Sequence, residues 1–175
     1  MGEGAVGVEE VAPDFLRFYD EALPHVFGYL VRRCGSTMLA EDLCAETFLA
    51  AVDAVRGPSP PDISVPWAIG VARHKLLDHW RRQSRAERRF EMLAGAADVS
   101  GDVAFDADAV DARRVLDELL PQHRAALTLR YLDDLSVPQV ADLMGRTVHA
   151  TEALLVRART AFRRAYALTQ GHPDG

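Results

Sequence analysis

The chain has 175 residues, 49% hydrophobic and 26% charged, with a formal net charge of -6, enough apolar material for one ordinary core or two small ones. No apolar run approaches the roughly 18 residues of a membrane span. The acidic start MGEGAVGVEEVAPDF lacks the basic end and apolar stretch of a secretion signal, so membrane insertion and export are disfavoured and a cytoplasmic location is expected.

The pattern is helical almost throughout, with no alternating strand signal of useful length. Phe15, Leu16 and Tyr19 open one helical stripe. Pro24 is expected to start a second helix at its first turn, where a missing N–H costs little, and Val26, Phe27 and Leu30 carry the stripe toward Gly35. In TMLAEDLCAETFLAAVDAVR, helical spacing puts Ala40, Leu43, Thr47, Ala51 and Val55 on a buried face and Asp42, Glu46, Leu49 and Asp53 on another. Cys34 and Cys44 form no CxxC and no Cys/His set at zinc spacing, and read as two reduced, partly buried thiols. A redox role for them requires activity that oxidation removes and a Cys→Ser pair protects.

After the loop GPSPPDIS comes PWAIGVARHKLLDHWRR, apolar at Ile69, Ala72, Leu76 and Trp80 and basic toward its end. Residues 94–109, AGAADVSGDVAFDADA, are small, acidic and Gly-containing, as in a flexible linker. Leu116, Leu119 and Leu120 then end one helix and Pro121 begins QHRAALTLRYL. Ser136 with Gln139 fits a capping box, Gly145 suits a left-handed helix end, and Thr147 suits the cap of a longer helix.

That sequence of short helix, glycine turn and long helix is a helix-turn-helix pattern. Val148, Thr151, Leu154, Leu155, Ala158, Ala161 and Phe162 would pack inward. Arg146, His149, Glu152, Ala153 and Arg157 would point outward near the start of the long helix, where a recognition helix meets base edges.

Charge is segmented. Residues 73–89 carry 7 basic and 2 acidic side chains, and residues 145–175 carry 5 and 2. Between and before them the chain is acidic, with 4 basic against 10 acidic over residues 1–56. An acidic protein grips duplex DNA poorly alone, because nonspecific affinity comes largely from neutralising phosphates. Two basic islands still track DNA if a partner holds them there. The histidines form no HExxH, no metal cluster and no triad setting, and no GxxxxGK loop is present, so no catalytic residues, metal or cofactor are expected.

AEDLCAETFL at residues 40–49 resembles conserved region 2.2 of the sigma-70 family, and PWAIGVARHKLLDHWRR resembles regions 2.3 and 2.4. Residues 116–159, LDELLPQHRAALTLRYLDDLSVPQVADLMGRTVHATEALLVRAR, resemble region 4. With these in order, the chain looks like a compact extracytoplasmic-function (ECF, group 4) sigma factor. The resemblance implies an all-α fold of two small domains: a region 2 bundle over residues 12–91 and a region 4 helix-turn-helix over 111–168. A flexible acidic linker over 92–110 would join them.

The resemblance further implies a non-catalytic, promoter-reading subunit that binds core RNA polymerase and promoter DNA and is held by an anti-sigma factor. Asp42, Glu46 and Leu49 would dock on the clamp helices of the largest polymerase subunit, and the helices around Leu127 and Tyr131 would approach the beta-flap, unless those two are core. Arg73, His74, Lys75, Trp80, Arg81 and Arg82 would hold the -10 element by phosphate contacts, stacking and an unpaired base. His74 stands where many members have asparagine, and for His74 and Trp80 plain helix packing is the competing reading. Arg146, Thr147, His149, Glu152, Ala153, Arg157 and Arg159 would face the -35 element. Glu152 replaces a usual lysine, which loses a phosphate contact and offers an acceptor for cytosine N4. A stand-alone helix-turn-helix regulator is the alternative, disfavoured by the net charge and the lack of an extra dimer helix.

Overall fold

The computed structural model describes residues 8–91 and 109–169, with side chains described over 14–86 and 112–169. The expected linker over 92–110 lies almost wholly outside the described residues. Among these there are seven α-helices and one π-helical turn, and no strand: α1 Val8–Cys34, α2 Thr37–Arg56, α3 Val65–Glu91, α4 Ala109–Glu118, α5 Pro121–Leu127, the π-turn Thr128–Leu132, α6 Val137–Met144 and α7 Val148–Thr169. They form two units, Met1–Leu76 and Leu77–Gly175. The division falls inside α3, well before residue 91.

In the first unit the expected pair of N-terminal helices is a single one, because α1 continues through Pro24. An interior proline costs a helix about 3 kcal/mol. Pro24 sits on the exposed face, while Ala22, Val26 and Leu30 are fully buried at four-residue intervals. Each fully buried Val or Leu contributes about 1.5–3 kcal/mol, so the buried stripe outweighs the defect. Phe18, not Leu16, begins that stripe: Leu16 is exposed and Phe18 meets Phe48 of α2 edge-on at 6.1 Å.

The helix ends are chemically closed. Arg32 Nε donates to the Gly28 carbonyl at 2.9 Å and Arg33 Nη1 to that of Tyr29 at 3.1 Å, placing positive charge at the negative end of α1. Gly35 takes a left-handed φ of 68°, and the Ser36 hydroxyl accepts from Leu39 N to cap α2. Ala40, Leu43, Thr47 and Ala51 are buried as the spacing predicts, joined by Cys44 and Phe48, and the buried Thr47 hydroxyl donates to the Leu43 carbonyl at 2.7 Å. Val55 is only half-buried. On α3, Ala68 takes the interior place expected for Ile69, with Ala72 and Leu76.

The second unit packs α4, α5 and α7 around Val115, Leu119, Ala126, Leu127, Leu154, Leu155, Ala158 and Phe162. Leu120 is exposed, and so is Val148, which begins α7 outside the core instead of inside it. Arg124 ties α4 to α5: its Nε donates to the Leu116 carbonyl at 2.8 Å, Nη2 to the Asp117 carbonyl, and Nη1 lies 3.7 Å from the Asp117 carboxylate. Burial raises the Asp117 pKa, and the opposing charges of Arg124 and Arg113 do not cancel that rise.

The helix-turn-helix closes as expected. Ser136 N donates to Gln139 Oε1 at 2.9 Å in a capping box at the start of α6. Gly145 has φ 62°, and Arg146 N reaches back to the Ala141 carbonyl at 2.9 Å, a Schellman ending. Thr147 Oγ1 accepts from Ala150 N at 3.2 Å and caps α7.

Candidate nucleic-acid and polymerase interfaces

On the first unit, α2 turns Asp42, Leu49 and Asp53 to solvent, with Glu46 half-exposed beside them. Leu49 is 63% exposed, a large apolar side chain in an acidic surround. It borders an open apolar groove of about 510 Å³ between α1 and α2, lined by Phe15, Tyr19, Phe27, Phe48 and Leu49 among others. Cys44 also lines the groove, and burial pushes its thiol pKa up, away from the thiolate that redox chemistry needs. Sequence spacing alone gave no sign of the groove, because its walls come from two helices.

The -10 candidates divide by environment. His74 is exposed, and its Nδ1 lies 2.8 Å from the Gly70 carbonyl one turn earlier. Lys75 is paired with Glu46 of α2, Nζ to Oε2 at 3.5 Å, so a residue expected to face DNA and one expected to face polymerase meet in an ion pair. Arg82 is exposed, Arg73 is half-buried, and Arg81 is paired with Asp78 at 2.8 Å. Trp80 is 2% exposed, so it offers no stacking face, and its Nε1 has no hydrogen-bond partner among the described residues.

On the second unit, His149, Glu152 and Arg157 are exposed along α7, and Ala153 is half-buried. Val156, absent from the sequence-based candidates, is 53% exposed on the same stripe, seven residues after His149 and four after Glu152. Arg146 is half-buried and donates to Gln122 Oε1 at 3.2 Å, which orients it from α5. Thr147 is exposed and works as a cap. Arg159 Nη1 donates to Tyr131 Oη at 3.4 Å, at the edge of the α7 face. Leu127 is core at 6% exposure, whereas Tyr131 and Leu132 of the π-turn are exposed. Beneath the helix, His123 is buried with its Nδ1 lacking a hydrogen-bond partner among the described residues. Its pKa is lowered by burial and, secondarily, by the charge of Arg157.

This surface carries one carboxylate, an exposed valine and flanking arginines. Among the described residues no group of three His, Cys, Asp or Glu side chains could hold a metal ion, and no helix is long and apolar enough to cross a membrane.

Two family descriptions match the chain in order: Sigma-70 region 2 over residues 18–86 and Sigma-70, region 4 over residues 109–162. The chain is 30% identical over 159 residues to the ECF RNA polymerase sigma factor BldN of Streptomyces coelicolor, covering 84% of this chain and 58% of BldN, less than two thirds of that protein. It is also 30% identical over 141 residues to the ECF RNA polymerase sigma factor SigC of Mycobacterium tuberculosis, covering 77% of this chain and 71% of SigC. A co-crystal structure of the sigma factor RpoE with the anti-sigma factor NepR from Bartonella quintana has a TM-score of 0.53 at 19% identity. The match covers 91% of this chain and 99% of that one, a likeness of fold.

The two matched regions, in order along the chain, place it in the class of RNA polymerase sigma factors. Within it the chain belongs to the ECF group of the sigma-70 family.

Proposed function

We propose that this sigma factor works in the cytoplasm as a non-catalytic subunit, docking on core polymerase through α2 and reading the -10 and -35 elements with α3 and α7. The functional division follows residues 12–91 and 111–168, joined by 92–110. Asp42, Glu46 and Leu49 supply an acidic, partly apolar face for the clamp helices of the largest subunit, and Tyr131 and Leu132 supply an exposed patch for the beta-flap. Arg73, His74, Lys75, Arg81 and Arg82 approach the -10 strand, with Trp80 supporting the helix from inside. Arg146, Thr147, His149, Glu152, Ala153, Arg157 and Arg159, with Val156, surround the -35 major groove. The reaction needs no cofactor from this chain.

The observation that carries the reading is the placement of two basic, solvent-facing helices in a chain of net charge -6. Such a chain depends on a partner for its hold on DNA, and core polymerase is that partner. An anti-sigma factor covering these surfaces is part of the same proposal, supported by the fold likeness to a sigma factor crystallised with one. Run-off transcription from a pooled promoter library, with core polymerase and this protein supplied singly and together, tests it. Sequence-selective initiation is expected only with both. Operator binding by the protein alone, with no effect on polymerase, would replace this reading with the stand-alone regulator.

A further inference from the structure

We propose that Gln122 is a positioning residue for the -35 contact: it holds the Arg146 guanidinium in place for a DNA phosphate without neutralising its charge. The inference rests on the reading of the helix-turn-helix as the -35 module and adds to it a residue outside both the turn and the recognition helix.

Arg146 stands on the turn, between the left-handed Gly145 and the Thr147 cap of α7. Its backbone is fixed, because its N–H donates to the Ala141 carbonyl at 2.9 Å. That bond does nothing for the long side chain, which has many rotamers to lose before it makes a directed contact. The 3.2 Å bond from Arg146 Nη2 to Gln122 Oε1 supplies the second anchor. Gln122 is itself well placed for this, as the second residue of α5, whose following residues His123, Arg124, Ala125, Ala126 and Leu127 are all buried.

The polarity of the bond has one reading. A guanidinium stays charged at every working pH and carries only donors, so the amide must turn its oxygen toward it. Among the described residues the Arg146 side chain has no other hydrogen-bond partner and no carboxylate within ion-pair distance. Arg124 and Arg130 of the same unit, by contrast, lie beside Asp117 and Asp134. Those charges are offset locally, whereas a neutral amide leaves Arg146 its full charge and its remaining N–H groups. Arg146 is half-buried, so the residue stays open to a ligand. A phosphate at the start of a recognition helix fits this arrangement, because it rewards charge, several donors and a fixed direction together. A glutamate in the place of Gln122 would hold the guanidinium more firmly and cancel what the phosphate needs.

Salt titrations of holoenzyme binding to duplex DNA that carries the -35 element test the proposal. R146A should weaken binding and lower the slope of log K against log salt by about 0.9, the value of one phosphate contact. Q122M removes the acceptor and leaves the charge; it should keep the wild-type slope and weaken binding about threefold, the scale of immobilising one rotamer-rich side chain. Q122E should lower the slope as R146A does, although it strengthens the bond within the protein. In an R146A background neither Gln122 variant should have any further effect.

A Gln122 that only supports the fold would weaken binding equally with and without Arg146, and that result overturns the proposal. So does a wild-type slope in Q122E, or a Q122M indistinguishable from wild type. An R157A control separates the deeper failure. If R146A is silent and R157A is not, Arg146 meets no phosphate and the proposal falls while α7 stays on the DNA; if both are silent, the helix-turn-helix does not read this element and both readings fall.

Discussion

Replacing Arg124 with methionine keeps most of the side-chain volume and removes a charged fork that closes the end of α4. In the folded protein Arg124 is 9% exposed and donates to the carbonyls of Leu116 and Asp117, with its third nitrogen near the Asp117 carboxylate. Hydrogen bonds from a charged donor contribute about 1.5–3 kcal/mol each, and two are lost. Water reaching the half-buried carbonyls returns part of that, so the expected loss is about 2–4 kcal/mol, on the order of 4–8 °C in melting temperature per kcal/mol for a domain of this size.

Hydrogen exchange of the α4 and α5 amides in the full chain is the assay, because it isolates the second unit's opening from that of the first. The variant also carries a pH signature. Asp117 already has a raised pKa from burial, and removal of Arg124 takes away the first charge opposing that rise. An acid with a raised folded pKa favours the protonated state, so its cost is felt at higher pH and eases as pH falls. The difference between wild type and R124M should therefore narrow toward acid. A variant within about 0.5 kcal/mol of wild type, the range of neutral surface changes, would refute the anchoring role.

Other outcomes follow from single features. His123 has a lowered folded pKa, so its contribution is fully present above the usual value of 6.5, declines as pH falls below it, and levels off below the folded value. Urea titrations from pH 8 to pH 5 should show the second unit weakening, and H123Q should flatten that slope; a parallel slope in the variant would remove His123 as its cause. Gly145→Ala forces a Cβ into φ 62° and should cost about 1 kcal/mol by chemical denaturation, with nothing nearby for the new methyl to strike. Glu152→Lys should raise affinity for -35 DNA across sequences while losing any cytosine preference at one position in a library selection. An unchanged profile would remove Glu152 from base reading.

Sequence reading went furthest where local chemistry decides structure. The capping box at Ser136, the left-handed Gly145 and the Thr147 cap are contained in a few adjacent residues, and each formed as its spacing predicts. The buried face of α2 was legible for the same reason, since a 3.6-residue period needs no knowledge of the partner helix. Pro24 misled because propensity speaks for one residue, while the stripe through Ala22, Val26 and Leu30 is settled by packing. The exposure of Val148 and Leu16 is likewise a tertiary fact, invisible to a helical wheel, whereas the burial of Trp80 continues the stripe through Ala72 and Leu76 that the spacing already showed. Among the site candidates, the sequence supplies the residue types; only the folded chain shows Arg159 turned to Tyr131, Lys75 to Glu46 and the His74 ring to Gly70.

The pair between Lys75 and Glu46 has a practical consequence as well. All other basic side chains in this sequence are arginine or histidine, so Lys75 holds the only ε-amine. An amine-reactive tag applied at a pH that spares nothing but the chain's own terminus as competitor would mark one known side chain, joined to α2 at 3.5 Å. Its rate of modification would then serve as a built-in reporter: a partner that draws Glu46 away leaves the amine freer to react, and nucleic acid lying over α3 shields it. A single lysine thus allows both proposed faces of the first unit to be followed in solution without introducing any foreign residue.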